Sequence, residues 1–481
     1  MSTSKKIIPL IINGSKTVSK NTNLHIPIQS AANPGSPFHY AQAASYDQVI
    51  EAAEGSFNAF KKWKKVPAGD RREILLEAAN LLKKRRHEGI ELQVQESMPN
   101  QQFAEKMYDI SINQLTELAS LTTSIQHSVP PSESADIFPI VFQEPIGPVL
   151  GISPWNAASV LALRSIATPI AAGCTTIFKT SELSAGSQYH IANAIIDAGL
   201  PDGVLNVLHV KPTHNIEYVN SLISHPAVRK INFTGSTATG RKIAVTAAEN
   251  LKPVLLELGG KASSIIFEDA DLDKSAEASI IGSWLNQGQI CMSTERIFVH
   301  EDILDNFTIK LTNVAKKIAP ILGSFPQVTK FHADKIHDIV SGAVNDGAIL
   351  AYGSLERKSA THVTPTIIKN VSPKSTIYHE ESFGPTVLVV PFKNEKEAIE
   401  LTNDTVYGLS ASIWSKDVFK ALRVSREIES GAVHINGMTV HDEATLPHGG
   451  MKNSGYGRFN GQWGLSEFTI PKTVTISGYS S

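Results

Sequence analysis

The sequence contains very little cysteine: Cys174 and Cys291 are its only two thiols in 481 residues. Two cysteines cannot build the disulfide framework that holds small secreted domains together, so that class of protein is excluded. Each thiol must then be explained by packing or by reactivity. Cys174 stands among small residues that lead into an apolar stretch, which favours packing, whereas both explanations are open for Cys291.

The sequence also lacks an excess of charge of either sign and an apolar run long enough to span a membrane. The 44 basic and 46 acidic residues leave a formal net charge of -2, which gives no electrostatic reason to expect nucleic acid or an anionic membrane. No segment approaches the roughly 18 uninterrupted apolar residues of a membrane span. The N-terminal apolar run is broken by Pro9 and is typical of a strand that enters a hairpin at Asn13-Gly14, not of a signal peptide. We therefore expect a cytoplasmic protein that binds a small molecule.

The apolar residues, 42% of the chain, follow two different periods. They recur at helical spacing from residue 46 to about 124, which predicts a helical region. Residues 137–152 combine β-forming residues with three prolines, which predicts a pair of strands with the second one buried. A chain of 481 residues can hold two or more domains, each with a core of its own.

Strand and helix patterns alternate from residue 175 onward. In chain order, the predicted elements are strand 175–179, helix 184–198, strand 204–208, helix 216–223, strand 230–233, strand 263–267, helix 273 to about 287, and strand 296–299. Alternation of this length predicts two α/β domains with parallel sheets and crossover helices, the second starting near residue 258. The segment 468–476 alternates like a strand and carries a proline suited to a sheet edge, so it is expected to serve assembly.

Glu257 lies between two leucines, just before Gly259-Gly260. A carboxylate in an apolar run is unfavourable unless it is paired or functional, and burial would raise its pKa toward the range of a general base. Capping or pairing is the structural alternative. Cys291 follows a segment where a helix is expected to give way to a loop, and a thiol with a pKa of about 8.5 needs a base or hydrogen-bond donors to react.

Five segments resemble, in chain order, the signature motifs of the aldehyde dehydrogenase superfamily. They are Pro154-Trp155-Asn156, Phe233-Thr234-Gly235-Ser236-Thr237, Leu256-Glu257-Leu258-Gly259-Gly260-Lys261, Gly288-Gln289-Ile290-Cys291 and Glu380-Glu381-Ser382-Phe383-Gly384-Pro385. The segments 286–296, 378–385, 434–443 and 449–459 look like the branch that contains salicylaldehyde and vanillin dehydrogenases.

This resemblance implies the fold of that family: two α/β domains with parallel sheets and a β-strand arm for oligomerisation. The dinucleotide-binding domain would comprise residues 1–123 and 148–257. The catalytic domain would comprise residues 258–465. The arm would comprise residues 124–147 and 466–481, and the assembly would be a homodimer or a homotetramer.

The resemblance also implies a covalent mechanism. Cys291 would be the nucleophile, and the Asn156 amide with the Cys291 backbone N–H would form the oxyanion hole around the tetrahedral adduct. Loss of hydride to nicotinamide would leave a thioester. Glu257 would then activate water, which favours release of the free acid over transfer to coenzyme A.

The residues implied to contact the cofactor lie in four regions of the chain. They are Trp155, Lys179, Glu182, Gly235, Ser236, Gly240, Glu381 and Phe383. Gly235 and Gly240 bracket a segment after a strand and before a helix, where the backbone could approach pyrophosphate, although an ordinary turn explains the pair equally well. Glu182 would bind the adenosine ribose and repel a 2′-phosphate, which favours NAD over NADP, although Lys179 and Glu182 could equally be a solvated pair.

Three further features bear on the substrate. Arg164 is a charge in the apolar segment 157–170, and it could snorkel, form an internal salt bridge, or bind an ortho-hydroxyl or carboxylate of the substrate. His441 and His448 are interpreted as loop histidines, and no ligand spacing indicates zinc. His448 nevertheless stands where the family commonly has phenylalanine, and the region 300–380 lacks the family's Gly-Asp-Pro turn, so the pocket and nearby loops are expected to differ.

The sequence therefore predicts NAD-dependent oxidation of an aldehyde, with an aromatic aldehyde favoured. An aliphatic aldehyde or a semialdehyde is the alternative substrate. A cysteine esterase or acyl transferase would use the same thiol without redox chemistry, but the dinucleotide loop and Glu182 argue against it. A binding protein without catalysis is disfavoured because Cys291, Glu257 and Asn156 are all present.

Overall fold

The fold was analysed in a computed structural model that describes residues 6–30 and 37–478. The outer ends of the predicted first domain and arm, residues 1–5 and 479–481, lie outside the described residues. The α-helices are α1 (Tyr46–Trp63), α2 (Ala68–Lys84), α3 (Arg86–Glu96), α4 (Gln101–Leu121), α5 (Ala158–Ala171), α6 (Ala185–Asp197), α7 (Asn215–Ser224), α8 (Thr237–Glu249), α9 (Leu272–Trp284), α10 (Leu304–Leu322), α11 (Lys330–Asn345), α12 (Thr376–His379), α13 (Glu395–Asn403), α14 (Val418–Glu427) and α15 (Gly461–Ser466).

The strands, in chain order, are β1 (Ile7–Ile8), β2 (Leu10–Ile12), β3 (Ser15–Thr17), β4 (His25–Gln29), β5 (Pro37–Gln42), β6 (Ile137–Pro145), β7 (Val149–Ile152), β8 (Thr176–Lys179), β9 (Leu205–Leu208), β10 (Lys230–Thr234), β11 (Val254–Glu257), β12 (Ala262–Ile266), β13 (Thr294–His300), β14 (Ile349–Tyr352), β15 (Thr366–Lys369), β16 (Thr386–Phe392), β17 (Ser410–Trp414), β18 (Ala432–Ile435), β19 (Gly455–Tyr456) and β20 (Thr469–Ser477).

The first large sheet has the order β19-β11-β10-β7-β8-β9-β2-β3. Its central strands β11 to β9 run parallel, while β19, β2 and β3 are antiparallel additions at the two edges. Neighbouring residues of β7 point to opposite faces, because Val149 packs with α2 to α6 and Leu150 packs with α1, α7 and α8. The sheet is therefore covered by helices on both sides.

The second large sheet has the order β14-β15-β16-β13-β12-β17-β18 and is parallel except for β14. Ile266 of β12 packs with α9 and α10, and its neighbour Ile265 packs with α13 and α14. The predicted α/β class is confirmed, and the sheets are mixed because edge strands join in the antiparallel sense. One such edge is the predicted hairpin at Asn13 and Gly14, whose φ angles are 51° and 81°.

The predicted pair of strands in residues 137–152 is wrong as a pair. Both strands form, and β7 is buried as expected, but they do not bond to each other. Gly147, at a φ of 129°, and Pro148 redirect the chain between them. Strand β6 instead pairs with β20 in a separate two-stranded sheet, whereas β7 lies between β10 and β8. Among the described residues, no helix combines the length and the apolar character needed to cross a membrane.

Candidate active site

Cys291 lies in a tightly folded loop between α9 and β13. Helix α9 ends at Trp284, three residues before the predicted end, because Asn286 and Gln287 adopt left-handed φ angles of 49° and 60°. Gly288 follows at a φ of 69°, and a Cβ there would lie 2.0 Å from the Gly384 carbonyl oxygen. Only glycine fits such a position without strain. The backbone geometry of residues 286–288 therefore determines the position of Cys291, three residues further on.

Glu257 faces this loop from the carboxyl end of β11. Its side chain is 1% exposed, and its Oε1 accepts a hydrogen bond from the Cys291 Sγ–H at 3.4 Å. The two predicted motifs therefore meet in space. Burial and the Glu257 carboxylate raise the pKa of Cys291 well above its ordinary value, so the resting group is a thiol. Cys174, in contrast, is fully buried in the core, as predicted.

His448 is the main residue whose contact with this site was not predicted from the sequence. It is 7% exposed, and its Nε2 lies 3.0 Å from the Glu257 Oε1. His448 lies in a loop, as interpreted, but its side chain is packed against the proposed base, a contact that the sequence did not predict. The departure from phenylalanine before Gly449-Gly450 was the available signal. His441 also lies in a loop, half exposed and paired with Glu443 at 2.9 Å.

The expected rise in the pKa of Glu257 is also wrong. Burial acts to raise this pKa, but the charge and hydrogen bond of His448 and the charge of Arg164 outweigh burial and lower the pKa to about 2. The Oε2 atom is buried and has no hydrogen-bond partner among the described residues. Glu257 is thus an ionised carboxylate with one oxygen bound and the other free.

Arg164, on α5, forms the internal salt bridge that was one of its three interpretations. It is 5% exposed, pairs with Asp442, and places its Nη1 3.7 Å from the Glu257 Oε2. Its guanidinium carbon lies 5.5 Å from the centre of the Phe459 ring. Asp442 was not anticipated, and its segment gave no signal beyond the family resemblance. A contact between Arg164 and a substrate stays a prediction.

Asn156 follows β7 and contacts the Cys291 loop directly. Its Nδ2 donates to the Gln289 carbonyl at 3.0 Å, and the Asn286 Nδ2 donates to the Asn156 carbonyl at 3.3 Å. One N–H of the Asn156 amide remains beyond this bond, because a primary amide has two. The Cys291 N–H has no acceptor within the described part of the chain. Two donors beside a thiol can stabilise an alkoxide that forms on an attacked carbonyl.

Five of the predicted cofactor residues line one cavity of about 820 Å³ at the start of α8. They are Trp155, Lys179, Glu182, Gly235 and Ser236. The Lys179 Nζ lies 3.7 Å from the Glu182 Oε2, and burial lowers the pKa of Lys179. Ser236 is the N-cap of α8, so the helix presents free N–H groups and a partial positive charge to the cavity.

Gly240 does not line this cavity. It lies inside α8, which starts at Thr237, so the expectation that residues 236–239 precede the helix is wrong. A Cβ at Gly240 would lie 2.4 Å from the Leu258 Cδ2. Its missing side chain therefore allows close packing of α8 on the segment after β11, a role that sequence spacing could not distinguish from phosphate binding.

Glu381 and Phe383 connect the cavity with the thiol. The Glu381 Oε1 accepts from the Gly260 N–H at 2.9 Å, and a Cβ at Gly260 would lie 2.4 Å from the Cys291 carbonyl oxygen. The Phe383 ring stands edge-on to Trp155, with 5.9 Å between ring centres. Desolvation and the Glu295 carboxylate raise the pKa of Glu381 to about 7.

These residues fit a dinucleotide. The cavity combines a helix N-terminus for phosphate, a carboxylate for ribose hydroxyls, and Trp155, whose ring contacts that of Phe383. Its volume falls in the range of ligand pockets. Within residues 6–30 and 37–478, no three His, Cys, Asp or Glu side chains are grouped to hold a metal ion.

Comparisons with known proteins agree with this geometry. A sequence profile of the aldehyde dehydrogenase family matches residues 18–474. The chain is 41% identical over 445 residues to a salicylaldehyde dehydrogenase from Pseudomonas putida, with 91% of each chain covered. It is 37% identical over 479 residues to a vanillin dehydrogenase from Pseudomonas fluorescens, with 98% of each covered.

The three-dimensional comparison gives the same relationship. The fold superposes with a TM-score of 0.94 on the crystal structure of a salicylaldehyde dehydrogenase from Pseudomonas putida G7 complexed with salicylaldehyde, at 38% identity and with 99% of each chain covered. By its sequence, its fold and the residues gathered at Cys291, this chain belongs to the aldehyde dehydrogenase family.

Proposed function

We propose that this chain uses Cys291 as nucleophile and Glu257 as base to oxidise an aromatic aldehyde to its carboxylic acid, with NAD as the hydride acceptor. The observation that carries the proposal is the 3.4 Å contact between the Cys291 Sγ and the Glu257 Oε1 beside a dinucleotide-sized cavity. A nucleophile and a base must lie within such reach to act on one substrate carbon.

The chemistry has two halves. Cys291 attacks the aldehyde carbon, and the Asn156 amide and the Cys291 N–H stabilise the alkoxide of the thiohemiacetal. NAD, when bound, accepts the hydride that this carbon loses. A thioester remains on Cys291, and Glu257 takes a proton from the water that hydrolyses it. A base at position 257 favours hydrolysis over transfer of the acyl group to coenzyme A.

The preference for NAD over NADP is part of the proposal. Aldehyde dehydrogenases use NAD or NADP. The Glu182 carboxylate lines the cavity beside Lys179, where it can accept hydrogen bonds from ribose hydroxyls and would repel a 2′-phosphate. Gly235 and Ser236 would serve the pyrophosphate, and Glu381 and Phe383 would hold the nicotinamide end.

The aromatic substrate is supported by two relatives, whose names specify salicylaldehyde and vanillin. We also propose that Arg164 binds the ortho-hydroxyl of such a substrate, since it lies beside Glu257 with its Nε unpaired among the described residues. Replacing Arg164 by Ala should raise the KM for salicylaldehyde more than the KM for benzaldehyde. Equal increases for both aldehydes would refute this contact.

Further parts of the proposal concern the whole chain. We propose that residues 1–123 with 148–257 form the dinucleotide-binding domain, residues 258–465 the catalytic domain, and residues 124–147 with 466–481 the arm. In support, the first large sheet takes all its strands except β19 from the first set, and the second large sheet takes all its strands from the second set. We propose a homodimer or homotetramer held by this arm. A cytoplasmic location is proposed on the basis of the bacterial relatives.

A single assay tests the proposed reaction. NADH formation at 340 nm is measured with aromatic, aliphatic and semialdehyde substrates, each with NAD and with NADP. We expect aromatic aldehydes with NAD to give the highest kcat/KM, and Cys291→Ala to give no turnover. Higher kcat/KM for the other aldehydes would move the assignment to the alternative substrates. No reduced cofactor with any pair, alongside hydrolysis of esters, would identify an esterase or acyl transferase instead.

A further inference from the structure

The two oxygens of Glu257 have different surroundings. Oε1 receives both the Cys291 Sγ–H at 3.4 Å and the imidazole Nε2 of His448 at 3.0 Å. Oε2 is buried and receives no hydrogen bond from the described residues; the nearest positive group is the Arg164 Nη1 at 3.7 Å. Once Cys291 is acylated it has no S–H to donate, so His448 alone anchors Oε1, and Oε2 is left to take a proton.

His448 is itself surrounded by charged and titratable groups from several elements. Glu257 on β11 faces its Nε2, and the Asp442 Oδ1 lies 3.9 Å from its Nδ1. Arg164 on α5 pairs with both of these carboxylates. His434 on β18 also acts on this region, but burial and its histidine neighbours lower the pKa of His434 to about 4, so it is neutral near pH 7.

The charge balance of this cluster depends on His448. Two carboxylates and one guanidinium sum to one negative charge, which a protonated imidazole neutralises and a neutral imidazole does not. A cation beside a carboxylate weakens it as a base, whereas a neutral donor holds its position with a smaller effect on its basicity.

We propose that His448 is a positioning residue for this reaction: it anchors Oε1 of Glu257 so that Oε2 acts on water, and its own protonation state sets how fast the acyl-enzyme is hydrolysed. The inference rests on the proposed roles of Cys291 and Glu257 and adds a control on the second half of the reaction. The charge and hydrogen bond of His448, which lower the pKa of Glu257, support this control.

The hydrolytic step balances without any further reagent. One O–H bond of water breaks and its proton goes to Oε2, while the water oxygen forms a bond to the acyl carbon. The C–S bond then breaks, the carboxylic acid leaves, and Sγ recovers the proton that Glu257 had taken. His448 exchanges no proton with the substrate in this step, so it acts only through Glu257.

The test isolates hydrolysis by quenched-flow mass spectrometry of the acyl group on Cys291, formed from an aromatic aldehyde and NAD, between pH 6 and pH 9. For the wild-type enzyme, we expect the decay rate to change with pH over this range, because the charge carried by His448 alters Glu257 as a base. In His448→Gln, which keeps a donor but has no charge to lose, the decay should be nearly independent of pH over this range.

Two further variants complete the design. His448→Leu, without a donor, should slow acyl-enzyme decay by about tenfold or more at every pH while still acylating Cys291. His441→Gln is the matched control, because His441 lies in the neighbouring loop and pairs with Glu443, and it should keep the wild-type profile. If His448→Leu fails to fold, the wild-type and His448→Gln profiles still decide the question.

The outcomes separate this inference from the proposed function. If the acyl-enzyme decays with the same pH profile in the wild type and in His448→Gln, the proposed role of His448 is overturned. Aldehyde oxidation by this chain would be unaffected by that result. No acyl group on Cys291 in any variant, including wild type, overturns the proposed reaction itself.

Discussion

At the scale of single residues, the resting state of Cys291 sets the first chemical requirement of the site. Burial and two carboxylates, Glu257 and Glu381, raise the pKa of this thiol, and its S–H donates to the Glu257 Oε1. A thiol is a poor nucleophile, so its proton must leave as the bond to the aldehyde carbon forms. Glu257 is the group in hydrogen-bonding reach that can accept this proton. It must pass the proton on to solvent before it can take one from the hydrolytic water.

Replacing Glu257 by Gln should therefore affect both halves of the reaction, hydrolysis more severely. We expect a slowed burst of at most one NADH per Cys291, followed by a stall, because the amide accepts no proton from water. Stopped-flow absorbance measures the burst, and mass spectrometry should find the acyl group on Cys291. Glu443→Gln, which alters an exposed pair in a nearby loop, is the control. Steady turnover at the wild-type rate by Glu257→Gln would show that another group is the base.

Glu381 makes the stability of the enzyme depend on pH. Its folded pKa of about 7 lies above the ordinary value of 4.5, so folding takes up a proton at this carboxyl between about pH 4.5 and pH 7. Stability from this group is present below that window and is lost as pH rises through it. Glu381→Gln carries no such charge and keeps an oxygen that can accept from the Gly260 N–H.

The expected result is a change in Tm, variant minus wild type, that becomes more positive between pH 5 and pH 8. Differential scanning fluorimetry in matched buffers measures it. Glu400→Gln, on the exposed side of α13, should show a difference that does not vary with pH. A Glu381→Gln difference that is flat over the same range would mean that Glu381 is ionised in the folded enzyme at pH 5.

At the scale of elements, the sequence predicted the features that are determined by residues close together in the chain. Helices α1 to α4 and the alternation from β8 to β10 follow from local apolar periods, and the burial of Glu257 follows from its two leucine neighbours. Local pattern could not predict the pairing of β6 with β20, since Lys472 and Glu144 are 328 residues apart. Only the family resemblance placed the two segments in one arm. The lowered pKa of Glu257 was missed for the same reason, because His448 lies 191 residues further on.

The loop before β13 is an element whose shape can be tested by one substitution. Gly288→Ala combines a positive φ with a Cβ placed 2.0 Å from the Gly384 carbonyl oxygen, so the backbone must shift. We expect a loss of about 1–3 kcal/mol in the free energy of unfolding and reduced NADH formation, because Cys291 follows three residues later. Denaturation by urea and the 340 nm assay measure the two effects.

Gly342 provides the matched control for this substitution. It lies within α11, and a Cβ there would meet no atom within 4 Å. Gly342→Ala should stabilise the enzyme by about 0.5–1 kcal/mol, because alanine favours a helix more than glycine does. Equal stability changes in the two variants would indicate that the loop adapts to a side chain at position 288.

At the scale of the whole molecule, the site lies where the two large sheets meet. Glu257 ends β11 of the first sheet, and five residues later Ala262 begins β12 of the second. The Cys291 loop leads into β13 of the second sheet, and Gly260 packs against it from the connection between the sheets. The reacting groups therefore come from both halves, so neither half alone contains the site.

The ribbon of β6 and β20 carries the exposed apolar surface on which the proposed assembly rests. It pairs nine residues of one strand with nine of the other, yet Ile470, Val474 and Ile476 are exposed on it. A two-stranded sheet is marginally stable alone in water, and a row of exposed apolar side chains on it marks an association surface. This is the physical basis for expecting the ribbon to be covered by a second copy of the chain.

We expect the double variant Val474→Asp, Ile476→Asp to dissociate the oligomer to monomers, because two desolvated carboxylates in an apolar contact cost more than such a contact contributes. Sedimentation velocity at micromolar concentration measures the change. Ile309→Asp places one such charge on an exposed position of α10 and should leave the sedimentation coefficient unchanged. A double variant that sediments like the wild-type oligomer would show that another surface holds the copies together, and a monomeric wild type would show that the ribbon stands uncovered in solution.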